Sequence, residues 1–130
     1  MSAHRALFAE TLFIYADFPM DYPTDFAIIT AYPTTGESWS SEKLAAQVQA
    51  FEAELRALGY RMHAVTGTSG DLSHQEPGWA VVLPPASALA LAIAYHQWAY
   101  FSVSAQQLTL IPALAEWDAL PLGDWPSRRR

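Results

Sequence analysis

The stretch Phe26-Ala27-Ile28-Ile29-Thr30-Ala31-Tyr32-Pro33 is a near-continuous apolar run, and after a polar turn it hands over to a segment with one unbroken apolar stripe. A run with no polar alternation, rich in β-formers, reads as a strand buried on both faces and ended by Pro33. Leu44, Val48, Phe51, Leu55 and Leu58 then recur at spacings of four and three, which puts all five on one face of a helix. Ser40 or Ser41 caps its start, Glu42 suits the positive end of its dipole, and Gly59 supplies the left-handed residue that ends helices. Burying each of those five side chains is worth roughly 1.5–3 kcal/mol before entropy is counted. The stripe therefore needs a partner surface, and the 26–31 strand supplies it.

The rest of the chain arranges itself around that pair. Residues Met1 to Ala9 read as a short helix or an arm, and Thr11 to Asp17 as a strand. Phe18 to Asp25, with Pro19 and Pro23 among aromatics, is a packed loop. Tyr60 to Thr66 alternates and predicts a half-exposed strand, whereas Gly67 to Gly78 is the most loop-like segment. Trp79 to Leu83 is a short apolar strand stopped by Pro84 and Pro85, and Ala86 to Ala99 is a second, Ala-rich helix. Tyr100 to Ser104 and Gln107 to Ile111 make two strands around a turn that lacks the usual Gly or Asn. The expected domain is single, 1–130, with a core over about 11–111 and an irregular tail over 112–130 held by Leu114, Trp117, Leu120 and Trp125. This order predicts an α+β fold, an antiparallel or mixed sheet in the split βαβ, ferredoxin-like order β-α-β-β-α-β. An extra strand stands at each end, and two helices pack on the sheet. A three-layer α/β domain is the alternative if the second helix crosses to the other face.

Composition narrows the function classes. At 130 residues the chain can bury a core of its own without metal or disulfide support. It has no cysteine, which removes disulfides, thiolate chemistry and the commonest structural zinc ligands. The N-terminus lacks a basic start followed by an apolar core, and no apolar run reaches the ~18 residues of a membrane helix, so a cytoplasmic protein is expected, with no membrane partner. Three of the seven basic residues are Arg128, Arg129 and Arg130, which leaves Arg5, Lys43, Arg56 and Arg61 against thirteen acidic residues in the body. Such a body repels phosphate, so no nucleic-acid partner is expected. The Arg triplet reads as a solvated, mobile end whose removal should leave the fold untouched.

Phe26 to Pro33, Ser40-Ser41-Glu42, Gly78-Trp79 and Tyr95-His96-Gln97-Trp98-Ala99 together resemble the ordered signposts of the bacterial family of unknown function DUF3293. The resemblance runs from about Phe26 to Ile111. In that family the first strand ends in an Ala-x-Asn-Pro-like turn and an acidic-Asn pair opens the helix. Trp is followed by Glu, and Gly-Gln-Asn-Ala closes the second helix. Ala31, Pro33, Glu42, Trp79, Gln97 and Ala99 fit, while Tyr32, Lys43, Ala80, His96 and Trp98 stand where Asn, Asn, Glu, Gly and Asn would be looked for. The resemblance implies a fold and carries no activity.

Candidate site residues follow from polar groups in apolar surroundings. Thr30 and Gln97 sit on otherwise apolar elements, where a hydroxyl or amide must find a hydrogen bond or cost about 1–3 kcal/mol. They either satisfy neighbouring backbone or line a pocket with Tyr32, Glu42 and Trp79 at the strand-to-helix junction. Trp39, in a polar turn, is a candidate anchor for a partner, as Trp79 is if exposed. His63, Asp71, His74 and Glu76 are the metal-type ligands, but their spacing fits no metal motif and three lie in a polar loop, so no metal and no cofactor is expected. No catalytic set stands out: Ser69 lacks the nucleophile-elbow context. The preferred reading is a non-catalytic protein-interaction module, with a protein partner or a second copy bound through aromatic surface on an acidic body. The other reading is a small enzyme or ligand-binding domain with a pocket near Thr30, Tyr32, Glu42 and Gln97, Glu42 being the general base.

Overall fold

The computed structural model describes residues 3–32 and 40–130. Its elements are α1 (Ala3–Ala9), β1 (Leu12–Ile14), β2 (Phe26–Thr30), α2 (Ser41–Ala57), β3 (Met62–Thr68), β4 (Gln75–Val81), α3 (Pro85–Ala94), β5 (Ala99–Ser104), β6 (Gln107–Pro112) and β7 (Leu120–Asp124). A single 3₁₀ turn, Pro126–Arg128, follows β7. The strands form one seven-stranded sheet in the order β1-β3-β4-β2-β5-β6-β7, and every neighbouring pair is antiparallel.

β2 lies near the middle of that sheet and buries side chains on both faces. Ala27 and Ile29 point to the face where Phe51 and Leu55 of α2 and Ala88, Leu91 and Ala92 of α3 lie. Phe26 and Ile28 point to the opposite face, into a second core with Phe13, Val65, Phe101, Val103, Leu108, Leu110 and Trp125. That second core is largely aromatic. Phe13 meets Phe101 edge-on at 5.0 Å, Trp125 stacks on Tyr15 at 5.1 Å, and Phe18 lies 5.3 Å from Phe26. Tyr22 closes its rim by donating its hydroxyl to Ala80 O at 2.8 Å, and burial pushes that phenol up to about 12.

The chain thus does not form the expected ferredoxin-like sandwich of a sheet with two helices on it. The seven strands curl into a half-barrel around the aromatic core. The three-layer alternative is not formed either, because α2 and α3 share one cluster on one face. The physical reason is that the sheet is apolar on both sides. Helices α2 and α3 cover one side, and the other is filled by curling over rings brought in by α1, β1, the Phe18–Tyr22 loop and the C-terminus.

Local expectations hold or fail for identifiable reasons. Ser40 caps α2 by accepting from Lys43 N at 3.2 Å, and Gly59 follows its end at φ 77°. Phe51 and Leu55 are fully buried and Leu44 and Val48 partly so, but Leu58 lies beyond the last helical residue and is 54% exposed. The segment Gly67 to Gly78 is half strand: the loop shrinks to 69–74 between β3 and β4. Pro77 fits because β2 pairs with β4 only from Gly78 onward, so Pro77 owes no hydrogen bond on that side. The segment after Pro112 is likewise not irregular throughout, since β7 pairs with β6 from Gln107↔Asp124 to Leu110↔Leu120. In the β5–β6 turn Ala105 and Gln106 take φ of 49° and 68° without glycine. Asp25 holds that turn by accepting from Ser104 Oγ at 3.1 Å and Ala105 N at 3.2 Å.

The Arg triplet is docked, contrary to the expected mobile end. Arg128 donates to Ala9 O at 2.7 Å and Thr11 O at 3.4 Å on one side, and to Leu122 O at 3.1 Å on the other. Arg129 reaches Asp17 at 2.8 Å and lies over the Tyr15 ring, and Arg130 N donates to Phe13 O at 2.8 Å. One guanidinium therefore ties the segment entering β1, at one edge of the sheet, to β7 at the other.

Two outcomes check this packing. Gly78 stands opposite Thr30, and a Cβ there would lie 2.6 Å from Ile29 O and 2.8 Å from Thr30 Cγ2. Gly78→Ala should cost about 1–3 kcal/mol in urea denaturation, as overpacking does; an unchanged midpoint would show that β2 and β4 sit further apart. Arg128→Ala should cost about 1–3 kcal/mol, since three carbonyls lose a charged donor. A loss within error would show the tail to be merely resting on the surface.

Candidate functional site

A cavity of about 530 Å³ opens on the concave side of the sheet, between α1, β1, the 69–74 loop and the ends of β2 and β5. Leu7, Phe8, Phe13, Ile28 and Phe101 give it apolar walls. Its polar part is a line of side chains, His74, Glu76, Thr30 and Gln97, brought together from β4, β2 and the α3–β5 junction.

The Thr30↔Gly78 register places Thr30 beside the outer half of β4, so that Glu76 reaches it. Thr30 Oγ1 lies 3.1 Å from Gln97 Oε1 and 3.4 Å from Glu76 Oε1. Gln97 is 2% exposed, and its amide nitrogen donates to Tyr32 O at 2.6 Å and Tyr95 O at 2.9 Å. Both amide hydrogens are thereby used, and the reversed amide would set an oxygen against two carbonyls, so Oε1 is the atom that faces Thr30. Glu76 Oε2 is 2.6 Å from Nε2 of His74, an exposed residue at the mouth. A carboxylate only accepts, so the imidazole donates from Nε2. Glu10, Thr11, Thr68, Ser69, Ser73 and Tyr100 add further polar lining, and burial pushes the Tyr100 phenol up.

Gln97 owes its position to how α3 ends. His96 takes φ 59°, its N donates to Ile93 O at 3.1 Å, and Gln97 N donates to Ala92 O at 2.8 Å. Those two bonds are a Schellman cap with His96 in the left-handed position. The second helix therefore stops at Ala94 rather than Ala99, and Gln97 faces the cavity from a reversal of the chain. The position is the one where the resemblance looked for glycine, so the departure at His96 is one of backbone preference.

The other sequence candidates lie elsewhere. Tyr32 contributes its carbonyl to Gln97 and does not line the cavity. Glu42 is exposed on the first turn of α2 and also lies off the cavity, so it has no part as a base there. Trp79 packs on the helix-covered face with the Arg56 guanidinium 5.8 Å from its ring. Trp39 lies outside the described residues.

The four metal-type residues do not converge, and among the described residues no group of three or more such ligands could hold a metal. His63 packs on Phe18 at 4.1 Å, with Nε2 2.8 Å from Ala16 O. Asp71 caps its own loop: hydrogen bonds from Ser73 N, Ser73 Oγ and Ser69 Oγ pull its carboxyl down to about 2. Residues missed from sequence are the walls, Leu7, Phe8 and Phe101, whose only signal was being apolar, and Glu76 as a partner of Thr30. No helix among the described residues is long and apolar enough to cross a membrane.

His96 generates a prediction about the cap. His96→Gly should raise stability by about 1 kcal/mol, because an L-residue pays that much in the left-handed region. Thermal and urea melts of the variant check it; a loss would show that the imidazole makes a contact worth more than the strain.

No curated protein and no solved structure matches the chain. A family model described as "Protein of unknown function (DUF3293)" matches residues 29–100, from Ile29 in β2 through Gly78, His96 and Gln97 to Tyr100 in β5. That span covers more than half of the 130 residues and holds the β2–β4 contact and the cap that places Gln97, so the chain belongs to the DUF3293 family.

Proposed function

We propose that this protein is a small-ligand-binding domain, with its site in the cavity on the concave side of the sheet. The observation that carries the reading is the join of apolar walls to a polar line, buried at Gln97 and half-buried at Thr30 and Glu76, in one cavity of about 530 Å³. Ligand sites have this size and this composition, an apolar enclosure with a few convergent polar groups. Burying the Gln97 amide and half-burying its partners also costs desolvation, which a fold would avoid with apolar residues if packing were its only purpose.

This reading is preferred to an interaction module working through an aromatic surface, because among the described residues that surface is small. Trp79, Trp98 and Trp117 are half-buried and Trp125 is 7% exposed, and most of the other rings turn into the concave core. Of the exposed large apolar residues, Leu7, Met20 and Leu58 come from separate segments, and Leu89 and Ile93 make one pair on α3. Single exposed apolar side chains are ordinary on any surface.

A fragment screen read by amide chemical shifts and by melting temperature tests the proposal. Binders should perturb Thr30, Glu76 and Gln97 and raise the melting temperature in proportion to occupancy. Thr30→Val removes the hydroxyl at nearly constant volume and should cut the affinity of such binders at least about tenfold, or roughly 1.4 kcal/mol. Glu42→Gln, off the cavity, should leave it unchanged. Binders whose shifts map to the helix-covered face, or indifference to Thr30→Val, would count against the site.

A further inference from the structure

We infer that the cavity takes a small organic cation, an ammonium group on an apolar body, with its charged end on Glu76, Thr30 and Gln97. The inference rests on the cavity being a ligand site and adds the charge and hydrogen-bonding character of the ligand.

The polar line is short of hydrogens. Gln97 Oε1 and Glu76 Oε1 both face Thr30 Oγ1, at 3.1 and 3.4 Å, and the hydroxyl has one hydrogen to give. The Gln97 amide cannot supply another, because both of its hydrogens go to Tyr32 O and Tyr95 O. The hydrogen of His74 goes to the far oxygen of Glu76. Three oxygens thus converge with one hydrogen among them, next to open volume. A ligand with several N–H donors on one atom meets that deficit, and an ammonium carries three. A hydroxyl carries one, and a carboxylate none.

Charge points the same way. Glu76 and Glu10 line the cavity, and among the described residues no lysine or arginine does. An anion would meet the like charge of two carboxylates there, with no lysine or arginine to offset it. A cation gains Glu76 as a partner, which offsets the cost of taking it out of water. The walls suit the remainder of such a molecule. Phe13 and Phe101 meet edge-on at 5.0 Å and Phe8 lies 6.3 Å from Phe101, so aromatic rings line the same cavity as the polar groups. Aromatic faces attract cations as well as apolar groups.

Matched probes on two carbon frames test this. Isoamylamine, isoamyl alcohol and isovalerate form one trio; phenethylamine, phenethyl alcohol and hydrocinnamate form the other. Titration of the full chain should show the amine of at least one trio binding at least about tenfold more tightly than its alcohol, with shifts at Thr30, Glu76 and Gln97. The carboxylates should not bind, and Glu76→Gln should shrink the preference of amine over alcohol by about tenfold. An alcohol or carboxylate binding as tightly as its amine at the same residues overturns the cation while leaving the cavity a ligand site. So does a trio with no binding when an uncharged fragment from the broader screen occupies the cavity. If nothing perturbs Thr30, Glu76 or Gln97, the cation inference and the ligand site both fall.

Discussion

The structure depends on β2 being buried on both faces. A strand with Phe26 and Ile28 on one side and Ala27 and Ile29 on the other needs two covers, and this chain builds them from different materials. Helices α2 and α3 form the first cover with local, periodic sequence. The second has no helix of comparable length, so the sheet bends around rings supplied by its own strands and by segments before β2 and after β7. Curling brings the two edges of the sheet near enough for one C-terminal segment to touch both, as Arg128 does with Ala9 and Leu122. The bent sheet, the ring-filled interior and the docked terminus are one solution to one burial problem.

The cavity is a by-product of the same solution. A curled sheet filled by side chains from several segments leaves space where those segments stop short, and here that space lies between α1, β1 and the 69–74 loop. Its polar end exists because β2 runs out at Thr30 while β4 continues outward to Gln75. Gly78 lets the two backbones approach at that end, which brings Thr30 and Glu76 within reach of each other. The close contact that stabilises the sheet also sets the spacing of the site.

What could be read from the sequence is what depends on neighbours in the chain. The β2 run, the α2 stripe with its Ser40 cap and Gly59 end, and the edge strand at Leu12 to Ile14 all follow from local pattern. What pairing at a distance decides was hidden. Gly67, Pro77 and Gly78 have the composition of a loop, yet β3 and β4 pair from Met62↔Val81 through to Thr68↔Gln75. The last strand had no alternation to announce it, and the Arg triplet found its acceptors more than a hundred residues away at Ala9 and Phe13. Local reading likewise stretched α3 through His96, because an exposed histidine gives no sign of a left-handed backbone. The site divides in the same way. Thr30 and Gln97 were legible as polar residues on greasy elements, whereas Glu42 seemed near only because it follows β2 in sequence.

A polar cluster set half-buried among apolar walls demands a reason. An all-apolar junction between β2, β4 and the end of α3 would pack with no desolvation cost, since two hydrogen-bonded partners can often be replaced by apolar groups almost neutrally. Gln97 could be argued away on its own, because its amide satisfies the carbonyls of Tyr32 and Tyr95 where the chain reverses. Thr30 and Glu76 cannot, since neither closes a backbone need and together they crowd acceptors around one hydrogen. Stability alone would select a donor or a methyl at one of those positions. An arrangement with more acceptors than hydrogens, open to a cavity, suits a molecule that brings hydrogens with it.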